Sequence, residues 1–445
     1  IRNDLSILKT NKVYIVKGKN FDLSKIVDKI LTGNNEDSLK LFDKKNKIFK
    51  INFDKNYIDK DHYLVGLKGK FQIKNNKFQK INSNIQSISK KDTIDCEGLL
   101  LIPGFINSHT HIADSIGKDI TLNSTVNQKI HPMFGIKSKI LKNTSNEYLS
   151  TFMKNTCRSM IQKGITTFVD FREGGLDGAI LLKKVVDDLP IRTILLGRLD
   201  FHQSTSEIKK NSPFPKEKIR ELPSLLKICD GIGISGANEH STSVLHSYSK
   251  TKKLRAIHSS ETIESVQKSK RITGKSETIR ALSLKPDFLI HMTHASKKDL
   301  DATSKKTRGI IICPRANSSL SEGIPDIEKM QNAGCLLGLG TDNVMINSPD
   351  MFREMDYLWK VTMGIKKKRI DPKEILKMAT VNAGKILKKE IGIIQTKKIA
   401  DCIFLDKHAL DLEPMHNPYA SIVHRASQST IKAVMIGGKI VHGKI

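Results

Sequence analysis

Six residues have the types and spacing to run metal-assisted hydrolysis: His109, His111, His258, Glu261, His291 and Asp342. His109 and His111 flank Thr110 at the end of the short run Phe105-Ile106-Asn107-Ser108. Side chains two apart on a strand share a face, so the two imidazoles project together and can grip one ion. Taken alone, a His-x-His pair is as compatible with a surface loop. A catalytic Zn²⁺ or Fe²⁺ needs three or four nitrogen or oxygen ligands and one open position for water. His258 and Asp342 supply a third imidazole and a carboxylate, and each closes an apolar run. Glu261 follows His258 by three residues, where the chain turns into a helix, and is placed to shuttle a proton. The plainer reading is a first-turn glutamate favoured by the helix dipole. His291 ends another apolar run and can orient the attacking water or polarise the substrate. His294, beyond the strand end, is expected to be a bystander.

These residues lie far apart in the chain, so only a fold that brings strand ends together can gather them. From Phe105 onward short apolar runs alternate with helical segments, the pattern of βα units and a parallel sheet. Eight candidate strands span 105–109, 165–170, 192–197, 230–235, 253–258, 287–291, 309–313 and 336–342. Eight such units close a (β/α)8 barrel, whose active site lies at the C-terminal strand ends. All six residues fall at or just past those ends. The long interval 112–164, which contains His131-Pro132, is read as an insertion over the site, a lid or substrate loop. Asp371-Pro372-Lys373-Glu374 starts a helix, with Asp as N-cap, Pro at the first position and Glu at the third; that helix is expected to end near Leu387.

The chain ends read as β-rich. Lys12–Val16 and Tyr63–Leu67 lie on the N-terminal side. Gly392–Ile394, Ala400–Leu405 and Ala433–Val441 lie on the C-terminal side, the last turning at Gly437-Gly438. The expected organisation is α/β: 1–103 as the first part of a small composite β-sandwich, 104–388 as the barrel, and 389–445 as the second part.

Composition bounds the rest. The chain has 445 residues, 38% of them hydrophobic, enough for a barrel plus a smaller domain. The net charge of +29 permits contact with polyanions. The lysines are dispersed in short clusters such as Lys366-Lys367-Lys368 and no aromatic-interleaved basic segment occurs, so a lysine-coated surface is expected and no specific nucleic acid. The base-editing zinc signature H-x-E with P-C-x-x-C is absent. Six scattered cysteines without a C-x-x-C pair argue against a zinc knuckle and a disulfide framework. No run has the length of a membrane helix, roughly 18–20 apolar residues. The expectation is a reduced, cytoplasmic enzyme with no membrane partner and room for a homo-oligomer.

The stretch Leu101-Ile102-Pro103-Gly104-Phe105-Ile106-Asn107-Ser108-His109-Thr110-His111 resembles the first-strand signature of the amidohydrolase superfamily, in its branch of cytosine deaminases, nucleoside-type deaminases and chlorohydrolases. Gly164-Ile165-Thr166-Thr167, His258-Ser259-Ser260-Glu261, His291, Cys313-Pro314-Arg315-Ala316-Asn317, Gly340-Thr341-Asp342-Asn343 and Ala379-Thr380-Val381-Asn382-Ala383-Gly384 continue the resemblance in order. It implies a barrel flanked by a composite β-sandwich, a single divalent metal, and hydrolysis at a ring carbon or an amide. It also implies ligand roles for His109, His111, His258 and Asp342, with Glu261 and His291 catalytic. Many binuclear relatives carry a bridging lysine at the end of the fourth strand. Here that segment is Gly233-Ile234-Ser235-Gly236-Ala237-Asn238-Glu239, which favours a mononuclear site. Ile112-Ala113-Asp114-Ser115 departs from the branch, so the substrate is not fixed by the resemblance.

The expected reaction is hydrolytic deamination of an amino-substituted purine-, pyrimidine- or pterin-like ring. The alternative is ring opening of a cyclic amide or imidazolone. Arg172, Arg198 and Arg315 follow the second, third and seventh strands. Guanidinium forks suit carboxylate or phosphate, so they suggest a small-molecule substrate with an anionic group; the competing reading is local salt bridging, Arg172 with Glu173 or Arg198 with Asp200.

Overall fold

A computed structural model describes residues 8–9, 13–14, 47–51, 69–82, 93–120, 135–366 and 369–445. The chain divides into two compact units. One comprises Gly104–Ile393 with Pro414–Ser429; the other comprises Ile1–Pro103, Ile394–Glu413 and Thr430–Ile445.

The larger unit is built on one parallel sheet. Its strands are β1 (Phe105–His111), β2 (Ile165–Arg172), β3 (Arg192–Gly197), β4 (Gly231–Ile234), β5 (Leu254–Ser259), β6 (Phe288–His291) and β7 (Ile310–Ile312). The eighth, β8, runs in two pieces, Leu337–Leu339 and Asp342–Asn343. Each strand pairs with the next in chain order. The first piece of β8 pairs with β7, and the second pairs with β1 through Asp342–Thr110 and Asn343–His111. The sheet therefore closes on itself as an eight-stranded barrel with helices between the strands. A parallel barrel sheet is buried on both faces: every residue of β1 and β2 is buried, their polar side chains included. Gly340 makes closure possible, since a Cβ there would sit 2.7 Å from His109 Cβ and 2.9 Å from its backbone nitrogen.

The interval after β1 holds a short 3-10 turn, Ile112–Gly117, and two helices, Ile136–Asn143 and Asn146–Gln162. His131-Pro132 lies outside the described residues. The helix expected over 371–387 is two helices, Pro372–Met378 and Val381–Leu387. Asp371 caps the first by accepting from the Lys373 amide. The break falls at Thr380, whose φ of −136° and ψ of −101° are not helical.

In the smaller unit Leu99–Pro103 pairs antiparallel with Cys402–Asp406, which pairs with Ile431–Ile436 and through it with Lys439–Gly443. Gly437 and Gly438 make the hairpin turn with φ of 56° and 78°, the left-handed conformations a two-residue turn requires. A second four-stranded sheet joins Lys47–Ile51, Gly69–Lys74, Lys77–Asn82 and Thr93–Asp95. Two readings change here. Residues 392–394 form no strand. The segment 389–445 is shared, because Pro418–His424 is a helix that groups with the barrel. Its amphipathic face is set by Ile422 and Val423, both fully buried. Val13–Tyr14 is strand, shorter than expected, and 63–67 falls outside the described residues. All six cysteines are buried free thiols. Among the described residues no helix is long and apolar enough to cross a membrane.

Candidate active site

The C-terminal ends of β1, β5 and β8 bring His109, His111, His258 and Asp342 into one buried cluster whose ligand atoms lie within 4.8 Å of one another. His109 Nε2 is 3.1 Å from Asp342 Oδ1 and 3.1 Å from His258 Nε2, and His111 Nε2 is 3.5 Å from Asp342 Oδ1. The far ring nitrogens fix the tautomers. His258 Nδ1 donates to the Ile234 carbonyl at 2.9 Å, and His111 Nδ1 donates to Phe171 O at 3.0 Å and Glu173 Oε1 at 2.8 Å. Both Nε2 atoms are left with lone pairs, that of His111 near the Asp342 carboxylate and that of His258 near His109 Nε2. Burial pushes His109 down to about 3, so its imidazole is neutral as well. Asp342 is held well below the usual carboxylate range: burial alone raises it, but the His109 hydrogen bond and the surrounding imidazoles outweigh that effect. Lone pairs and a carboxylate converging in a buried space need a cation between them, and three imidazoles with one carboxylate suit one divalent ion.

Glu261, His291 and Asp342 form a second group around the same carboxylate. Glu261 Oε1 stands 3.3 Å from His291 Nε2, at the end of β6. The other ring nitrogen of His291 meets the Asn317 side-chain amide at 3.3–3.4 Å. Burial, with Asp342 and Glu277 nearby, pushes Glu261 up to about 8, so at neutral pH it holds a proton it can give. The strand ends are bent sharply to aim these groups. His291, Asp342 and Ser260 have φ of 68°, 60° and 50°, a region that side-chain-bearing residues seldom occupy.

Behind His111 lies a buried ionic network that the sequence reading missed. Lys137 Nζ is 2.6 Å from Glu173 Oε1 and 3.5 Å from Asp114 Oδ2. Asp114 also accepts from Asn343 Nδ2 at 2.8 Å and from the Met345 amide at 3.0 Å. Glu173 therefore orients His111 and is itself held by Lys137. Asp114 was visible only as a departure from the family pattern, and nothing in the sequence around Lys137 marks it as buried.

The cluster opens into a cavity of about 1210 Å³ lined by His111, His258, Glu261, His291, Asp342 and residues from the β2, β3, β4 and β7 ends. Of the three arginines, Arg172 and Arg198 line it. Arg172 is buried and its Nε donates to the Gly178 carbonyl at 2.9 Å. Its pairing with Glu173 is loose, at 3.8 Å. Arg315 is not brought to the cavity. Its Nη1 is 3.1 Å from Ser348 O and 3.5 Å from Glu354 Oε2, and its amide donates to Glu354 Oε1 at 2.9 Å. A substrate contact for Arg315 is withdrawn, because the fully buried Glu354 needs that guanidinium as its counter-charge. His294 lines the cavity, and its Nε2 donates to the Glu322 carbonyl at 2.6 Å.

Comparison with known proteins agrees with this geometry. Residues 100–441 match the Amidohydrolase family. A protein of Methanothermobacter thermautotrophicus described as "Putative aminohydrolase" is 36% identical over 358 residues, covering 79% of this chain and 88% of its own. A 5-methylthioadenosine/S-adenosylhomocysteine deaminase of Thermococcus sibiricus is 29% identical, covering 84% of this chain and 90% of its own. Among solved structures, a zinc-bound adenosine deaminase from Xanthomonas campestris superposes with a TM-score of 0.74 at 17% identity, over 89% of this chain and 92% of that one. With its closed barrel, its buried three-histidine, one-aspartate cluster and a family match over most of its length, this chain belongs to the amidohydrolase family and is a hydrolase of C–N bonds other than peptide bonds.

Proposed function

We propose that the protein is a hydrolytic deaminase of an amino-substituted heterocycle, with a single Zn²⁺ held by His109, His111, His258 and Asp342 in a catalytic domain over 104–388, and with a composite β-sandwich as its second unit. The observation that carries it is the placement of an acid, Glu261, beside a carboxylate, Asp342, at the mouth of one ligand cluster. Environments that push two carboxyls in opposite directions separate an acid from a base: Asp342 lies far below the usual range and Glu261 near 8. The donor set suits Zn²⁺, with Fe²⁺ as the other metal compatible with nitrogen and oxygen ligands. The names of the relatives, deaminases of 5-methylthioadenosine/S-adenosylhomocysteine and of 5′-deoxyadenosine, support a ring amine as the reacting group.

The bound ion would acidify a water from a pKa of about 15.7 toward 7. Asp342 takes the proton that the water loses as its oxygen attacks the sp² carbon bearing the amine. Glu261 delivers its proton to the adjacent ring nitrogen. His291, held from behind by Asn317, donates toward the oxygen on which negative charge develops. Proton return to the amine releases ammonia. Arg198, with Arg172 beside it, is placed to meet an anionic group on the substrate. Ammonia release from aminopurines, aminopyrimidines, pterins and their nucleosides, measured on zinc-loaded protein, tests the reading. Ammonia from one ring class is the expected result. Silence across the panel with metal bound overturns deamination in favour of ring opening of a cyclic amide or imidazolone, which would use the same ligands.

A further inference from the structure

Glu322 is a carboxyl set into the wall of the catalytic cavity with nothing to bind. It is 5% exposed, and among the described residues neither of its carboxyl oxygens has a hydrogen-bond partner. The charges that bear on it are carboxylates, Glu261 first, then Glu264 and Asp342. A buried unpartnered carboxyl costs free energy and is retained where something else satisfies it.

Its backbone is locked. The Glu322 amide donates to Asn317 O at 2.8 Å, and its carbonyl accepts from His294 Nε2 at 2.6 Å. Ser321 and Gly323 on either side have φ of 60° and 92°, so the chain doubles back to present this one residue. Gly323 also passes close to the His294 ring, which a Cβ there would meet at 3.5 Å. Asn317 both anchors Glu322 and touches His291, so the carboxyl is in register with the reaction centre. Such preorganisation is what a recognition group needs, because little ordering is left to be done on binding.

We propose that Glu322 determines substrate specificity by accepting a hydrogen bond from an exocyclic amino group that stands beside a ring nitrogen of the heterocycle, remote from the reacting carbon. His294 is its positioning residue. The proposal rests on the deaminase reading and names its substrate class: rings that carry a second amino group in addition to the one lost. A protonated carboxyl has one acceptor, its carbonyl oxygen, and one O–H donor, and these fit an amino group and the lone pair of the ring nitrogen beside it.

The test is a binding measurement that needs no turnover at the reacting position. Calorimetric affinities of 2-aminopurine and purine, which differ only in the edge amino group and both lack the 6-amino group, are compared on zinc-loaded wild type and Glu322→Ala. The expected wild-type preference for 2-aminopurine is about tenfold, the scale of satisfying a buried polar group that is otherwise unpaired. Glu322→Ala abolishes most of it while purine affinity stays within about twofold, which also reports an intact cavity. Should the alanine variant lose purine binding as well, Glu322→Gln is scored on the same ratio and is expected to keep the preference, because its amide offers the same acceptor and donor. Equal wild-type affinities for the two rings overturn the proposal, as does an unchanged preference in Glu322→Ala or a preference lost in Glu322→Gln with purine still bound. Ammonia from 2-aminopurine overturns it differently, because the edge amine would then sit at the metal while deamination itself stands. A preserved binding preference with no ammonia from any ring in the panel upholds Glu322 and sinks the deaminase reading instead. His294→Ala is expected to weaken the preference at unchanged purine affinity.

Discussion

Two buried groups of charges flank the candidate metal cluster, and they are built on opposite principles. On the β1–β2 side Glu173 is clamped between Lys137 and His111. Burial alone would raise Glu173, yet Lys137 and His111 hold it well below the usual range. Lys137 is held above its ordinary value because Glu173 and Asp114 outweigh the cost of burying it. On the β5–β7 side Glu261 and Glu322 have no cation, and burial together with neighbouring carboxylates pushes each up to about 8. The first group contains its own cation and acts as scaffold, fixing the ring of His111. The second is incomplete and faces the cavity. Unpaired acid at a cavity wall marks where a ligand, a proton or both must come from outside.

The largest effects should come from the incomplete side and its partner carboxylate. Asp342→Asn and Glu261→Gln are each expected to lower turnover by at least about 10²-fold, the scale of lost general acid–base catalysis. Steady-state kinetics on the substrate found in the ammonia screen read this directly, and a loss under about fivefold for either refutes its assigned role. On the complete side the expected damage is to the fold. Lys137→Met leaves Glu173 and Asp114 buried without their cation. Breaking one partner of a buried pair costs about 3 kcal/mol, so the denaturant midpoint should drop markedly. A midpoint equal to wild type would mean that the Lys137 pairs contribute nothing net.

The same contrast predicts opposite behaviour with pH. The folded protein keeps the Glu322 proton up to about pH 8, whereas an unfolded chain releases it near 4.3. Between those values the native state binds more protons, so this group makes stability fall as pH rises and contributes nothing below that window. Glu322→Gln removes the decline. Its melting temperature should fall less than that of wild type between pH 5 and 8.5, by roughly 2 °C. Melting curves of metal-free wild type and variant that shift in parallel would show that the carboxyl is not held protonated.

The sequence disclosed the strand-borne half of this site and little of the rest. His109, His111, His258, His291 and Asp342 end apolar runs, and a parallel barrel puts all strand ends on one rim, so their meeting follows from the alternation of strands and helices. Strands are also short and bounded by turn and helix signals, which is why the eight spans were legible to within a few residues. Lys137 and Glu322 sit in helices and turns after strands, where no periodicity says which way a side chain points. Their significance depends on what else is buried with them: a lysine within reach of two carboxylates, a glutamate with none of its own. The sharp turns at His291 and Asp342 were likewise invisible, since φ above zero in residues other than glycine follows from tertiary constraint rather than from local preference. The 3-10 turn and helices after β1 could be anticipated only as a long interval.

The arginines show the same distinction at the smallest scale. Three guanidinium groups followed strand ends in the sequence, and position along the chain gave no means of ranking them. Arg315 is committed to Glu354, which is fully buried and still pushed up to about 7 by burial even with that arginine beside it. Arg198 lines the cavity and helps His202 hold Glu239 down against the effect of burial. Substituting methionine at each should therefore separate two kinds of loss. Arg315→Met leaves Glu354 without its cation, so it should lower the denaturant midpoint while KM for an anionic substrate stays within about twofold of wild type. Arg198→Met should lower the midpoint less than Arg315→Met does, because His202 still holds Glu239, and should raise KM for an anionic substrate roughly tenfold, the scale of one charge-assisted hydrogen bond, with a neutral analogue little affected. Raised KM for both analogues alike in Arg198→Met would show that its side chain shapes the cavity without reading charge.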